Sequence, residues 1–314
     1  MKFPVTGKAQ DIVLGSTATL ALFLAYVSLP LAGMVAALFA PLPGVFFTLK
    51  SGKRVGMAIV AITAGVLAAV ADPATVALYA LQSGAISLAL PFFLERQNGG
   101  ARAIVSTVAL AAILVAAAAT IYGLSQGVDV HGFVQKGIDA SISQTAVLYE
   151  KSGLKGEELQ TFQQGLRQAG VLIGKVYPAL IIICLGCITA VTLTFLRRLS
   201  PRLPVPPAVG MFREFKNPDQ LIWAVIAAGF AMLVKYPGVT SAALNVLIVT
   251  LTLYFAQGLA VVIFYFNRLA TPAFLRVLFY LFLVFQPYLA IAVTALGIFD
   301  LWGNFRSPKK PENL

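Results

Sequence analysis

Long apolar runs separated by short polar links fill most of the chain. Read at helical spacing, they predict membrane spans over residues 12–29, 31–49, 55–71, 74–94, 103–124, 171–196, 221–236, 239–266 and 277–299. Most approach or exceed the about 20 residues a helix needs to cross a hydrocarbon core. Pro41 and Pro43 interrupt the second run, so a bent or short helix covered by its neighbours is expected there. Asp72 and Pro73 turn the third run into the fourth, and Asn98, Gly99 and Gly100 break the chain before the alanine-rich fifth. At the far end Asn267, Arg268 and Arg276 form a polar hinge between the last two runs. Asp300, Trp302 and Arg306 follow the last one as a charge-and-indole anchor at headgroup level.

Two polar stretches depart from this pattern. Residues 125–168 carry two helical patterns, Phe133, Val134, Ile138 and Ile142 on the first and Leu159, Phe162 and Leu166 on the second, parted by Ser152 and Gly153. They predict a helical hairpin outside the membrane. Residues 197–217 are basic and proline-rich and predict an extended interfacial strap. The fold expected is therefore all-α, a polytopic transmembrane helix bundle of eight or nine spans with an extracytoplasmic helical hairpin. Its parts are a five-span portion over 1–124, the hairpin over 125–168, further spans over 169–306 with a cytoplasmic link at 197–217, and a tail at 307–314 too polar and proline-rich to fold alone.

Composition strengthens this reading, because 59% of residues are hydrophobic and only 11% charged, against about 25% charged in soluble domains. The net charge of +11 does not form a basic face of soluble size, which excludes a nucleic-acid partner and leaves the lipid bilayer. Instead the basic residues mark sides. With the N-terminus in the cytoplasm, fourteen of the 23 Lys and Arg fall in cytoplasmic links of a multi-pass protein of the cell membrane. Nine spans place Arg306, Lys309 and Lys310 outside; eight, with 221–236 re-entrant, return the tail inside.

The candidate chemistry is a pair of polar stripes. Tyr79, Gln82, Ser83 and Ser87, with Thr75 before them, share one face of the fourth span, and Thr250, Tyr254 and Gln257 share one face of the eighth. Lipid rejects such faces, so both should look inward. Neutral amide, hydroxyl and phenol groups suit an uncharged polar solute, and the same groups can equally bond helix to helix. No phosphate-binding loop, zinc-protease motif or acidic pair within a span occurs, so neither an enzyme nor a cofactor is expected. His131 has no partner in sequence for a metal. Cys184 and Cys187 sit in an apolar run and are expected as small buried side chains. Asp72, before Pro73, is better placed to cap a helix than to carry protons.

Three stretches carry a family resemblance: Phe215-x-x-Pro218-Asp219-x-x-Ile222-Trp223, the segment from Asn245 through Gln257-Gly258-Leu259 to Asn267, and Gly297-Ile298-Phe299-Asp300-x-Trp302. With them nearly the whole chain resembles the uncharacterised bacterial YybS-like membrane proteins. That family is in turn distantly similar to the substrate-binding components of energy-coupling-factor transporters and to the rod-shape-determining protein MreD. The first similarity implies a solute-binding or transport-related subunit that meets a membrane coupling subunit through small residues on its first helix, where Ala21-x-x-x-Ala25 matches. The second implies a structural or assembly role among other envelope proteins.

Overall fold

In the computed structural model, residues 7–96, 99–152, 156–207 and 209–306 are described, and all the regular structure among them is helical. The helices are α1 (Lys8–Ser28), α2 (Pro30–Phe39), α3 (Leu42–Ser51), α4 (Lys53–Val70), α5 (Pro73–Tyr79), α6 (Ala85–Arg96), α7 (Gly100–Gln126), α8 (Val130–Lys151), α9 (Gly156–Leu199), α10 (Leu221–Ala231), α11 (Pro237–Arg268), α12 (Ala273–Phe285) and α13 (Pro287–Gly303). Among the described residues, seven continuous or nearly continuous helical stretches are long and apolar enough to cross a membrane, and the bent pair α12–α13 makes up to eight. The protein is a polytopic helix bundle. The tail expected at 307–314 lies outside the described residues.

The prolines act where the sequence places them. Pro41 separates α2 from α3, and the two together make one candidate span, Ala32–Ser51. Asp72 caps α5, accepting hydrogen bonds from the Thr75 backbone N–H (3.0 Å) and hydroxyl (2.7 Å), the arrangement that satisfies orphan donors at a helix start. Those bonds hold its exposed carboxyl below the ordinary value, so their contribution is present above the unfolded-state pKa and lost as pH falls through the folded one.

Several expectations are corrected. The second helix of the polar segment is not separate: it continues into the sixth span as the 44-residue α9, because no proline lies between Glu157 and Tyr177 and the isolated Gly165, Gly170 and Gly174 are tolerated within a helix. Tyr149 of α8 and Phe162 of α9 still meet, ring centroids 4.3 Å apart, while Gly153 lies outside the described residues. The seventh run is helical only over the 11 residues of α10, about 17 Å at 1.5 Å per residue. The ninth run is broken, with α12 and α13 bent by 107°. Pro287 is the reason: it supplies no N–H and pushes Gln286 out of the helical region, to φ −115° and ψ 96°. Cys184 and Cys187 are free and exposed on α9, not buried; the buried face of that helix carries Leu185 and Ile188 instead.

Two compact units emerge. The first comprises Met1–Ala140 and Ile181–Val209, and the second Ser141–Leu180 and Gly210–Leu314. In the first, Val45 of α3, Leu90 of α6, Ala103 of α7 and Leu185 and Leu196 of α9 share one core. In the second, α11 is the central helix, packed by α10 and α13.

A proline also explains an inserted side chain in the second unit. Pro178 lies inside α9, and its ring displaces the backbone bonds of the preceding turn. The Asn245 amide of α11 fills the break: its Oδ1 accepts from Ala179 N (2.8 Å) and its Nδ2 donates to Lys175 O (2.8 Å). Asn245→Leu strands both groups and should lower unfolding free energy by about 1 to 3 kcal/mol. Thermal unfolding in detergent checks this, and Asn245→Gln should not restore the geometry because its amide sits one methylene farther out.

Candidate functional site

On the eighth span protein contacts engage Thr250 and Gln257. Thr250 Oγ1 donates to Val246 O (2.8 Å), as buried helical hydroxyls commonly do. Gln257 is fully buried; its Oε1 accepts from Asn217 N (2.9 Å) and its Nε2 donates to Asp300 Oδ2 (2.9 Å). Asp300 is buried among these groups, whereas Trp302 is exposed. The carboxylate also accepts from Arg306 Nη2 (2.6 Å) and from Phe305 N (3.2 Å). Arg306 Nη1 in turn donates to the carbonyls of Arg213 (3.0 Å) and Phe215 (2.8 Å). The result is a connected network joining the end of the basic link, α11 and the end of α13, with a protein partner for each charged group. Tyr254, fully buried, is the stripe member whose hydroxyl has no hydrogen bond.

The first unit presents a different arrangement. The buried face of α1 repeats every fourth residue as Asp11, Gly15, Thr19 and Phe23, with Ser16 beside them. α4 answers with Ile59, Thr63 and Leu67. Gly15 lies against Ile59, and Phe23 and Leu67 share a cluster with Tyr79. The two helices therefore run side by side in one direction, and Thr19 and Thr63 come at the same level. Tyr79 reaches this level from α5, its ring edge-on to Phe23 at 5.2 Å and its hydroxyl turned toward Thr63, close to it but outside good hydrogen-bond geometry. The helix then makes a π turn over Ala80–Gly84, which contains Gln82 and Ser83. Such turns insert a residue, re-aim side chains and recur at functional sites.

Four hydroxyls here, those of Ser16, Thr19, Thr63 and Tyr79, are buried and have no well-formed hydrogen bond among the described residues. Buried polar groups nearly always have one. The contrast within the chain sharpens the point, because Thr48, Thr189 and Thr250 all bond the carbonyl four residues earlier. Ser16, Thr19 and Thr63 do not, and neither do Thr107 and Thr192 elsewhere in the first unit; the hydroxyls of Ser16, Thr19, Thr63 and Tyr79 differ in lying together.

The remaining predicted residues divide. Ser83 is fully buried in the π turn and Gln82 is half-buried. Ser87 belongs to helix packing: its hydroxyl donates to Pro41 O (3.3 Å), and a Cβ on Gly44 would stand 2.6 Å from it. Ala21 is exposed on α1, and Ala25 is half-buried where Gly33 of α2 approaches its carbonyl. Sequence reading missed Ser16, Thr19 and Thr63, although the four-residue recurrence of small and polar positions on α1 was there to be read. It also missed the buried Asp11, which pairs with Lys50 Nζ at 2.8 Å and with the Ser51 hydroxyl at the end of α3.

A model of the family described as Predicted membrane protein (DUF2232) matches residues 17–301. The chain belongs to this family. Uncharacterized protein YybS of Bacillus subtilis (strain 168) is 23% identical over 307 residues, covering 95% of this chain and 96% of that one. No solved structure matches. The family match takes in Thr19, Thr63 and Tyr79 of the first unit and Gln257 and Asp300 of the second. Family membership therefore takes in most of both polar arrangements, leaving out Ser16 and Arg306, and establishes a multi-pass membrane protein without attaching an activity to either.

Proposed function

We propose that this membrane protein is a solute-binding, transport-related component of the cytoplasmic membrane, with its N-terminus inside, and that the hydroxyl group of residues around Tyr79 holds the solute. The observation that carries this reading is the set of four buried, unpartnered hydroxyls beside a π turn. Hydroxyls both donate and accept, so they fit one hydroxyl or amide end of an uncharged solute without the cost of a buried charge. Tyr79 and Ser83 keep their candidate role, Ser16, Thr19 and Thr63 join them, and Gln82 lines the approach from the same turn. Thr250 and Gln257 become scaffold, and Tyr254, whose hydroxyl stands alone among them, carries no ligand cluster. Ala21, exposed on α1, is available to a coupling subunit, and no catalytic step belongs to this function.

The second reading is a structural or assembly role in the envelope, and the network around Asp300 favours it, since there the polar side chains join protein to protein. A thermal-shift screen of the detergent-purified protein with uncharged polyols, sugars, nucleosides and amides separates the two. A stabilising solute should lose its effect on Thr63→Val and on Tyr79→Phe, by about tenfold or more in affinity, as expected where a hydrogen bond worth about 1.4 kcal/mol is removed. A solute that stabilises these variants as well as the parent binds elsewhere. The absence of any stabilising solute leaves the structural role.

A further inference from the structure

We infer that α12 and α13 form a re-entrant hairpin which enters and leaves the membrane on the side of the basic link, and that the stretch containing α10 is a full, short crossing. The inference is independent of any function assigned to the chain. It rests on directions and neighbours within the second unit.

The first observation is the side of the C-terminal end. Arg306 donates to the backbone carbonyls of Arg213 and Phe215, so the end of α13 and the end of the link occupy one level on one side. The number of crossings between Asn217 and Arg306 must then be even. α11, at 32 residues, is one of them, about 48 Å long. Exactly one more crossing is needed, and it is either the α10 stretch or the α12–α13 pair.

Direction decides between them. Gly258 meets Gly297 backbone to backbone, and farther along both helices Tyr265 Oη donates to Phe305 O at 2.9 Å. Two helices in contact at these two levels run parallel; in the antiparallel case Tyr265 and Phe305 would lie about 20 Å apart along the axis. A chain that leaves the end of α11 and then runs parallel to it has first come back. α12 is that return limb: Phe279 packs on Phe266 with centroids 5.4 Å apart, and Arg276 Nη2 donates to Phe266 O at 3.0 Å. The bend of 107° between α12 and α13 exceeds a right angle, so the second limb retreats along the axis of the first. A span that is merely kinked would keep advancing.

The α10 stretch meets the complementary requirement. Asn217 binds α11 at Leu253 and Gln257, and at the other end Thr240 Oγ1 donates to Val234 O. Residues 217–234 thus run antiparallel beside residues 240–257, a length of about 26 Å at helical rise, close to the about 30 Å of a hydrocarbon core. The helix itself is short because the crossing is completed by the turn after Ala231. Charge agrees as well: an even count returns Arg306 to the side that carries Arg213, Lys216, Arg268 and Arg276 of the same unit.

Single cysteines in the full chain, with Cys184 and Cys187 replaced by serine, test this through labelling of intact cells by a membrane-impermeant maleimide. Met211→Cys marks the link, Lys235→Cys the turn after α10, and Leu269→Cys the turn after α11, all at exposed positions. Met211→Cys and Leu269→Cys should behave alike and Lys235→Cys oppositely. Any other pattern overturns the inference, above all Leu269→Cys opposite to Met211→Cys with Lys235→Cys alike, which would make α12–α13 the crossing. Phe212→Cys, Tyr236→Cys and Thr271→Cys form a second set for any variant that fails to accumulate.

Discussion

Arg306→Met is expected to lower the unfolding free energy by about 3 to 5 kcal/mol, the range for removing one partner of a buried ion pair. Asp300 has 2% of its side chain exposed and Arg306 14%, so water cannot replace the guanidinium. Without it the carboxylate keeps two hydrogen bonds, from Gln257 Nε2 and Phe305 N, which do not neutralise its charge. The carbonyls of Arg213 and Phe215 lose a donor at the same time. The loss should be strongly non-additive: Asp300→Leu combined with Arg306→Met removes both charges and should be less damaging than Arg306→Met alone. Chemical unfolding of the purified variants measures both effects, and additive losses would mean that the pair is solvated.

Gly258→Val should be comparably severe for a different reason. A Cβ at Gly258 would stand 1.8 Å from Val293 O, and one at Gly297 would stand 1.9 Å from Tyr254 O. Both obstacles are backbone, which cannot rotate away. α11 and α13 approach this closely because neither has a side chain at the crossing, the small-residue packing that lets membrane helices touch. Any Cβ forces the helices apart and breaks the Gln257–Asp300 bond beyond the crossing. Overpacking typically costs about 1 to 3 kcal/mol and occasionally more; here the upper end is expected, with Gly297→Val equivalent and Gly65→Val, which has open space around it, as the silent control. Yield and unfolding midpoint in detergent report the difference.

Much of the fold is legible in the sequence because lipid imposes a length on every span. The apolar runs that became α1, α4, α7 and α11 needed no tertiary information, and Pro41 and Asp72 acted locally, as their chemistry requires. The ninth run misled for a physical reason: hydrophobicity is blind to direction, and Gln286-Pro287 reverses the chain without making the run any less apolar. α9 misled in the opposite sense, since polarity ended the predicted span while nothing ended the helix. Tyr79, Ser83, Ser87, Thr250, Tyr254 and Gln257 are buried, as the cost of polar groups in hydrocarbon requires, while Gln82 is only half-buried. Their partners were not legible. Gln257 bonds Asn217 and Asp300, 40 and 43 residues away, and Asp11 finds Lys50 at a separation of 39. Ser16, Thr19 and Thr63 were missed because single hydroxyls in alanine-rich helices usually bond their own backbone; only the structure shows that these do not.

That the Gln257–Asp300–Arg306 network is scaffold, while the hydroxyls around Tyr79 await a ligand, is tested most directly by one comparison of empty proteins. Tyr79→Phe and Arg306→Met are purified in detergent without added solute and unfolded side by side. The account predicts that Tyr79→Phe stays within about 0.5 kcal/mol of the parent or exceeds it, since a hydroxyl with no protein partner contributes nothing to the empty fold, while Arg306→Met loses several kcal/mol. A loss of about 1 to 3 kcal/mol in Tyr79→Phe, as for a hydroxyl engaged in structure, with Arg306→Met close to the parent, would contradict it.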